Sequence, residues 1–340
     1  MTVRFNTTEW RAIVTRYATA EVTRSFGQLA LNLSALVATL YVAYRLMEPV
    51  PWATALLVLL VSGFLIRTFI IMHDCAHGSF TPWPKVNDAI GFVTGVLMLT
   101  PYQQWRREHA IHHASAGDLE RRGTGDINTL TVAEYEARSR FGKLKYRLYR
   151  NPVVLFVLGP LHLMVLQRFR VPGPVTGPAQ LWNVWLTNIA LAATATIFIL
   201  TAGWQSVVLL YLPAVYIAGA IGVGLFYVQH QFEDVYWEKD GGWSPTAAAL
   251  EGSSFYKLPR VLQWFSGNIG FHHIHHLNSR IPNYNLERCF LACPTFQDVR
   301  PITLLSSLKT IRLRLWDARN RRMIGFRELK SYPVPGGARA

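Results

Sequence analysis

Between Val171 and Phe232 the chain runs for 62 residues without an Asp, Glu, Lys or Arg. A helix in that stretch has no charged face to turn to water, so hydrocarbon is the medium that suits it. Gly27 to Tyr44 and Pro49 to Ile66 are also free of charge, 18 residues each, and the second extends to Met72 past the single Arg67. At ~1.5 Å per residue, such a helix comes close to the ~30 Å apolar layer of a bilayer. Pro49 and Pro51 stop helices, which makes Arg45 to Pro51 a tight loop. The long stretch holds enough chain for two crossings, with a turn around Thr201 to Gln205. The expected fold is all-α and integral to the membrane: one domain over residues 1–340 with four transmembrane helices in two hairpins. The spans are placed near 27–47, 50–72, 180–200 and 206–228. Gly219, Gly222 and Gly224, with Ala218 and Ala220, are small enough to let the fourth helix approach a neighbour closely.

Charge places the remaining segments. With 51% hydrophobic and 16% charged residues, polar cover is too thin for a water-soluble core of this size. A net charge of +14 by itself suits nucleic acid, anionic lipid or an acidic protein equally. Its distribution is more telling. With both termini on one side, residues 1–26, 73–179 and 229–340 hold 4, 13 and 15 Lys+Arg, which is 32 of the 34. This positive-inside pattern makes both termini cytosolic, with a cytosolic helical cap formed from 73–179 and 229–330. Topology and anionic-lipid contact then account for most of the charge, with room for an acidic redox partner and no call for nucleic acid.

Smaller features follow from the same reasoning. Residues 1–26 mix Arg with Glu and lack the apolar core of a removable signal peptide. Ala89–Pro101 and Pro152–Gln167 are too short to span comfortably and are expected as interfacial or buried helices. Arg312, Arg314, Arg319, Arg321 and Arg322, interleaved with Leu313, Leu315 and Trp316, suggest a basic interfacial helix. Val171–Pro178 reads as a linker and Tyr332–Ala340 as a frayed tail. Cys75, Cys289 and Cys293 form no CxxC pair, which favours a reducing compartment or buried thiols.

The chemistry lies in the histidines. Of eleven, most fall in three clusters: His73 with His77, His109 with His112 and His113, and His272, His273, His275 and His276. Residues three and four apart share a helix face, so each cluster is expected to present its imidazoles to one point. The triplet His272, His275 and His276 repeats the spacing of the second cluster. His273, roughly 100° around the helix, is expected to support the site without binding metal. All three clusters lie on the predicted cytosolic side, and eight imidazoles exceed what one metal can use. Imidazole suits Zn, Cu, Fe and Ni, but a structural zinc site closes with four ligands, often thiolates. Two non-haem irons in a nitrogen-rich shell fit better, activating O₂ as co-substrate beside a membrane hydrocarbon. His230, where the fourth span leaves the membrane, is a candidate ninth ligand, because a histidine at that depth needs a metal or a hydrogen bond. Asp74 and Asn268 are placed beside the clusters as supporting residues. His162 has no partner at ligand spacing and reads as interfacial.

These motifs resemble those of the membrane fatty-acid desaturase superfamily. The segments from His73 to Phe80 (HDCAHGSF), Arg107 to His113 (REHAIHH), Phe226 to Glu233 (FYVQHQFE) and Gly267 to Leu277 (GNIGFHHIHHL) are similar to its acyl-lipid, Δ12/ω-6-type branch. The resemblance runs from about Leu29 to Cys293. It implies a four-helix stalk under a cytosolic cap, a histidine-ligated di-iron centre, and removal of two hydrogens using O₂ and two external electrons. It also implies His73, His77, His109, His112, His113, His272, His275 and His276 as ligands, with His230 as an additional family histidine. Some acyl-CoA members carry Asn four residues before that histidine; this chain has Phe226. The haem-binding His-Pro-Gly-Gly motif of cytochrome b5 is absent, so electrons are expected from a separate donor, an acidic ferredoxin or a cytochrome b5-like protein.

The competing readings are a hydroxylase, ketolase or alkane monooxygenase of the same chemistry, and a zinc-dependent membrane hydrolase or metal transporter. The boxes do not separate desaturation from hydroxylation, whose paths diverge after the first C–H cleavage. A hydrolase works without O₂ and reductant, and a transporter needs polar ligands near mid-span. Double-bond position, acyl carrier and oligomeric state are not written in the sequence.

Overall fold

The computed structural model describes residues 7–166, 177–239 and 241–331. The expected linker falls almost wholly outside these residues, and the expected tail wholly so. The fold is mostly helical. After α1 (Thr7–Tyr17) come two long helices, α2 (Val22–Leu46) and α3 (Pro51–His77), joined by the short turn that Pro49 and Pro51 predict. Pro51 is tolerated as the first residue of α3 because its missing N–H has no helical partner there. At the other end Gly78 adopts a left-handed cap, φ 66°, and its N–H reaches the carbonyls of Asp74 and Cys75. The helix therefore continues beyond the span boundary expected at Met72 and carries His73 and His77 on its last turns.

Polar groups inside the α2–α3 hairpin face each other. The Asn32 amide donates to Thr68 Oγ1 at 2.8 Å and to the Phe64 carbonyl at 3.3 Å. Arg67, the one charge in the second apolar stretch, turns inward rather than to lipid. Its guanidinium lies 4.2 Å over the Trp264 ring, donates to the Trp264 carbonyl, and reaches Gln28 Oε1 at 3.3 Å. Next come α4 (Pro84–Leu97) and α5 (Tyr102–Ser115), which pack so closely that a Cβ on Gly91 would sit 2.3 Å from the Tyr102 ring. That glycine fixes where α5 starts, and α5 carries the second histidine cluster.

The long uncharged stretch forms Pro178–Ser206, a π-helical turn Val207–Tyr211, and Leu212–His230. Gly203, at φ 79° and ψ 154°, breaks the helix within the predicted turn. The chain folds back there: the rings of Phe198 and Tyr211 are 6.4 Å apart, whereas thirteen residues of straight helix would separate their backbones by ~20 Å. Both ends of this hairpin return to the same place. Asn183 Oδ1 accepts from the backbone N–H of Gln103 on α5 at 2.9 Å, and His230 ends the second arm beside His112 of α5. The outward faces of α2, α3 and this hairpin are apolar and exposed, with Leu200 at 80% and Trp182 at 69%, the inverse of a water-soluble surface. Among the described residues, three stretches, Val22–Leu46, Pro51–His77 and Pro178–His230, are long and apolar enough to cross a membrane.

Two expectations require correction. The structure is not purely helical: β1 (Leu130–Thr131), β4 (Leu315–Asp317) and β5 (Arg322–Ile324) form one small sheet, and β2 (Tyr256–Lys257) pairs in parallel with β3 (Ile302–Thr303). The basic interfacial helix expected over Arg312 to Arg322 is instead the β4–β5 hairpin. Leu315, Trp316 and Asp317 are all buried, and Asp317 caps the turn by accepting from the N–H groups of Arg319 and Asn320. Arg314 also points inward, to the Tyr227 hydroxyl at 3.2 Å. The run Pro152–Gln167 forms a mixed α- and π-helical segment over 154–166, bent by 60° from the helix Arg140–Tyr149, on which Val157, Leu158, Leu161, Leu163 and Val165 are exposed. His162 lies on it, exposed and apart from the other histidines.

Candidate metal centre

Nine imidazoles converge where α3, α5, the Leu212–His230 helix and the short helix His272–Leu277 meet. They sort into two groups, His73, His77, His109, His113 and His275 in one, and His112, His230, His272 and His276 in the other. Within each group the candidate ligand atoms all lie within 4.8 Å of one another. The groups adjoin, with the rings of His113 and His276 stacked at 4.1 Å.

This sorting departs from the expectation that each cluster serves one point. The HxxHH spacing explains it. In both triplets the residues four apart lean to one side of the helix and the middle one to the other. His109 and His113 thus join the first group while His112 joins the second; His272 and His276 join the second while His275 crosses to the first. His73 and His77, four apart on α3, complete the first group, and His230 completes the second.

Hydrogen bonds orient the rings for a cation. His230 Nδ1 donates to the Gly252 carbonyl at 3.2 Å, and His112 Nδ1 donates to Asp126 Oδ1. With Nδ1 committed as the donor in each ring, Nε2 is the atom left to bind metal, and the two Nε2 atoms face each other at 3.2 Å. His272 Nε2 joins them at 2.9 Å from His230 Nε2. In the first group, His113 Nε2 is 3.1 Å from both His109 Nε2 and His275 Nε2. His77 Nε2 and His276 Nε2 are buried without a hydrogen-bond partner among the described residues. Opposed lone pairs repel unless a positive ion lies between them, so the donor set fits bound metal. Burial, reinforced by neighbouring imidazoles, holds His109, His113, His272, His275 and His276 well below the usual imidazole range. The rings are therefore neutral at pH 7, the form that binds metal.

The supporting residues are placed differently from one another. Asp74 accepts from the Asn283 backbone N–H and side-chain amide, each at 2.8 Å, while its other oxygen lies 3.6 Å from His73 Nδ1, beyond hydrogen-bond range. Asn268, at φ 59°, donates to the Asn283 carbonyl at 3.0 Å, so it steadies the residue that holds Asp74. Phe226 packs its ring 5.1 Å from His112 and 5.2 Å from His230, an apolar neighbour to both. Three participants were not singled out from the sequence: Asp126, the Gly252 carbonyl, and Trp105, whose ring stacks on His109 at 4.4 Å. Trp105 sits four residues before His109 and was open to helical reasoning; Asp126 and Gly252 lie in loops with no periodicity.

His273 belongs to neither group. Its Nε2 donates to the Phe296 carbonyl at 3.3 Å, its ring lies against Phe255 and Phe290, and burial pushes its pKa down to about 4. His273→Ala is expected to keep the metal content of the wild type. Loss of a buried hydrogen bond and of packing volume should cost ~1–3 kcal/mol and lower the melting temperature. Elemental analysis of the purified variant checks this, and loss of a whole metal equivalent would contradict it.

Apolar helices exposed on their outer faces and nine clustered histidines, buried or half-buried at their ends, define a membrane protein with a candidate multi-histidine metal site. A sequence model described as fatty acid desaturase matches residues 50–298. The chain is 46% identical over 322 residues to a fatty acid desaturase of Bacillus subtilis (strain 168), covering 94% of this chain and 91% of that one. It is 28% identical over 278 residues to an sn-1 acyl-lipid omega-3 desaturase (ferredoxin) of Synechocystis, covering 78% and 74% of the two chains. It is also 26% identical over 263 residues to an sn-1 oleoyl-lipid 12-desaturase of Anabaena variabilis, covering 74% and 70%. The chain belongs to the fatty acid desaturase family and is an oxidoreductase of that kind.

Proposed function

We propose that this protein introduces a double bond into the acyl chain of a membrane lipid, using O₂ and two electrons from a separate donor. The single observation that carries the reading is the pairing of five and four imidazoles in adjacent groups. Two irons held by His73, His77, His109, His113 and His275, and by His112, His230, His272 and His276, would supply O₂ activation and C–H cleavage. A mononuclear zinc hydrolase needs a site of three or four ligands, and two adjoining groups exceed that. The chain's own residues orient and shield. Asp126 and the Gly252 carbonyl fix two rings, Trp105 covers His109, and Phe226 turns an apolar face to the second group. In balance, one acyl –CH₂–CH₂–, one O₂, two electrons and two protons give –CH=CH– and two waters.

Lipid-linked acyl substrate is supported by relatives named for acyl-lipid and oleoyl-lipid desaturation. The donor is proposed to be a ferredoxin or a cytochrome b5-like protein, the carriers named for relatives from Synechocystis and Arabidopsis thaliana. In this reading α2, α3 and the two arms of Pro178–His230 make four crossings, and residues 1–340 form one domain. Both termini, the cap and the metal centre lie on the cytosolic side, following the Lys/Arg asymmetry. Expression in a host lacking polyunsaturated lipids, followed by mass spectrometry of the membrane acyl chains, tests the reaction. A loss of 2 Da that depends on O₂ and reductant is expected; a gain of 16 Da would make the protein a hydroxylase.

A further inference from the structure

The loop after α5 returns to the metal centre at one point. At Gly125, φ 71°, an added Cβ would lie 3.0 Å from the Glu108 carbonyl oxygen and 3.1 Å from His112 Cβ. The chain thus crosses α5 in direct contact, along a path that only glycine follows without strain. The next residue, Asp126, is laid against His112 and accepts a hydrogen bond from its Nδ1–H on Oδ1. The other carboxylate oxygen, Oδ2, is buried with no hydrogen-bond partner among the described residues, and so is the indole Nε1 of Trp237. Asp126 and Trp237 line the same cavity of about 10 Å³, together with His112, Phe226, His230 and Gly252. An unpartnered acceptor and an unpartnered donor on two residues that line a space of that size match one water, which needs ~10–15 Å³ and at least two polar partners.

We propose that Asp126 is a positioning residue for the His112 imidazole, and that one buried water, accepting from the Trp237 indole N–H and donating to Asp126 Oδ2, holds that carboxylate in place. The proposal rests on the reading that His112, His230, His272 and His276 bind one metal. A carboxylate on Nδ1 fixes the tautomer and ring angle and makes Nε2 a stronger donor to metal. The water ties this loop to the segment that follows His230, so two rings of the second group are braced around one cavity.

The full-length protein in detergent, with the Asp126→Asn, Asp126→Ala and Trp237→Phe variants, tests both parts. Metal content is measured by elemental analysis and metal release by a chelator titration. In Asp126→Ala one metal equivalent should bind ~10–100-fold more weakly while the other is unchanged. Asp126→Asn, which keeps the shape, should weaken the same equivalent. A merely structural role would weaken both equivalents together, and release matching the wild type in both Asp126 variants would overturn the positioning role. In protein labelled with ¹⁵N-indole, Trp237→Phe identifies the Trp237 N–H signal. That signal should move in Asp126→Ala; if it does not, the bridging water is wrong. A wild-type protein holding fewer than two metals would overturn the underlying two-metal reading, and this role for Asp126 with it.

Discussion

His276→Ala abolishes turnover and leaves the protein with one metal equivalent in place of two; this is the expected result of removing one imidazole from the four-membered group. That group has no spare member, because its other rings are His112, His230 and His272. His276 has no competing task, since its buried Nε2 meets no hydrogen-bond partner among the described residues. Changes to groups that merely support a metal ligand cost ~10–100-fold, so loss of a ligand should exceed 100-fold in activity. His112→Ala should behave alike, with an added cost because Asp126 would then be buried without its partner. Elemental analysis and a product assay measure both effects. Two metals per chain with unchanged turnover in either variant would remove these residues from the ligand set and leave the nine-imidazole reading without support.

Why the centre was legible to the degree it was follows from particular residues. The spacing of His73 with His77, and of the two HxxHH triplets, is a local property of a helix, so the sequence exposes it. How the triplets divide between two groups depends on which helix faces which, and no single segment carries that information. His230 could be suspected because an imidazole at a membrane exit needs a partner, and the structure gives it one in the Gly252 carbonyl. Asp126 is invisible in the sequence because it lies fourteen positions after His112, beyond the end of α5 in a loop without periodicity. The glycine that lays it there, Gly125, looks in the sequence like any turn glycine.

The fold divides along the same line. Stretches without charge place the long helices, since hydrocarbon admits few alternatives. Past the uncharged stretch, His73, Asp74 and His77 ride the same helix into the site, as the four-residue spacing of the two histidines requires. Over Arg312 to Arg322 the alternation of Arg with apolar residues was read as one face of a helix. In the structure Leu315 and Trp316 are buried under the β4–β5 hairpin, paired with Ile324 and Met323. Short strands of two or three residues give too little pattern to separate period 2 from period 3.6.

Topology gives the second large effect, because one centre requires every histidine cluster on one side of the bilayer. From Pro51 to His73 α3 rises ~33 Å, and from Gly203 to His230 the second arm of the hairpin rises ~40 Å, each enough to cross ~30 Å of hydrocarbon. Glu48 and Thr201 are exposed at the turns of the two hairpins, away from the imidazoles; Arg138 and Arg280 are exposed beyond the second and third clusters. With the Lys/Arg-rich segments inside, Glu48→Cys and Thr201→Cys should react with an impermeant thiol reagent added to intact cells. Arg138→Cys and Arg280→Cys should react only after the membrane is opened. Background labelling should be low, because Cys75, Cys289 and Cys293 are all buried. Labelling from outside at Arg138→Cys, with protection at Arg280→Cys, would put the second and third clusters on opposite faces. His113 and His275, 3.1 Å apart at their Nε2 atoms, could not then meet, and a shared metal centre would have to be abandoned.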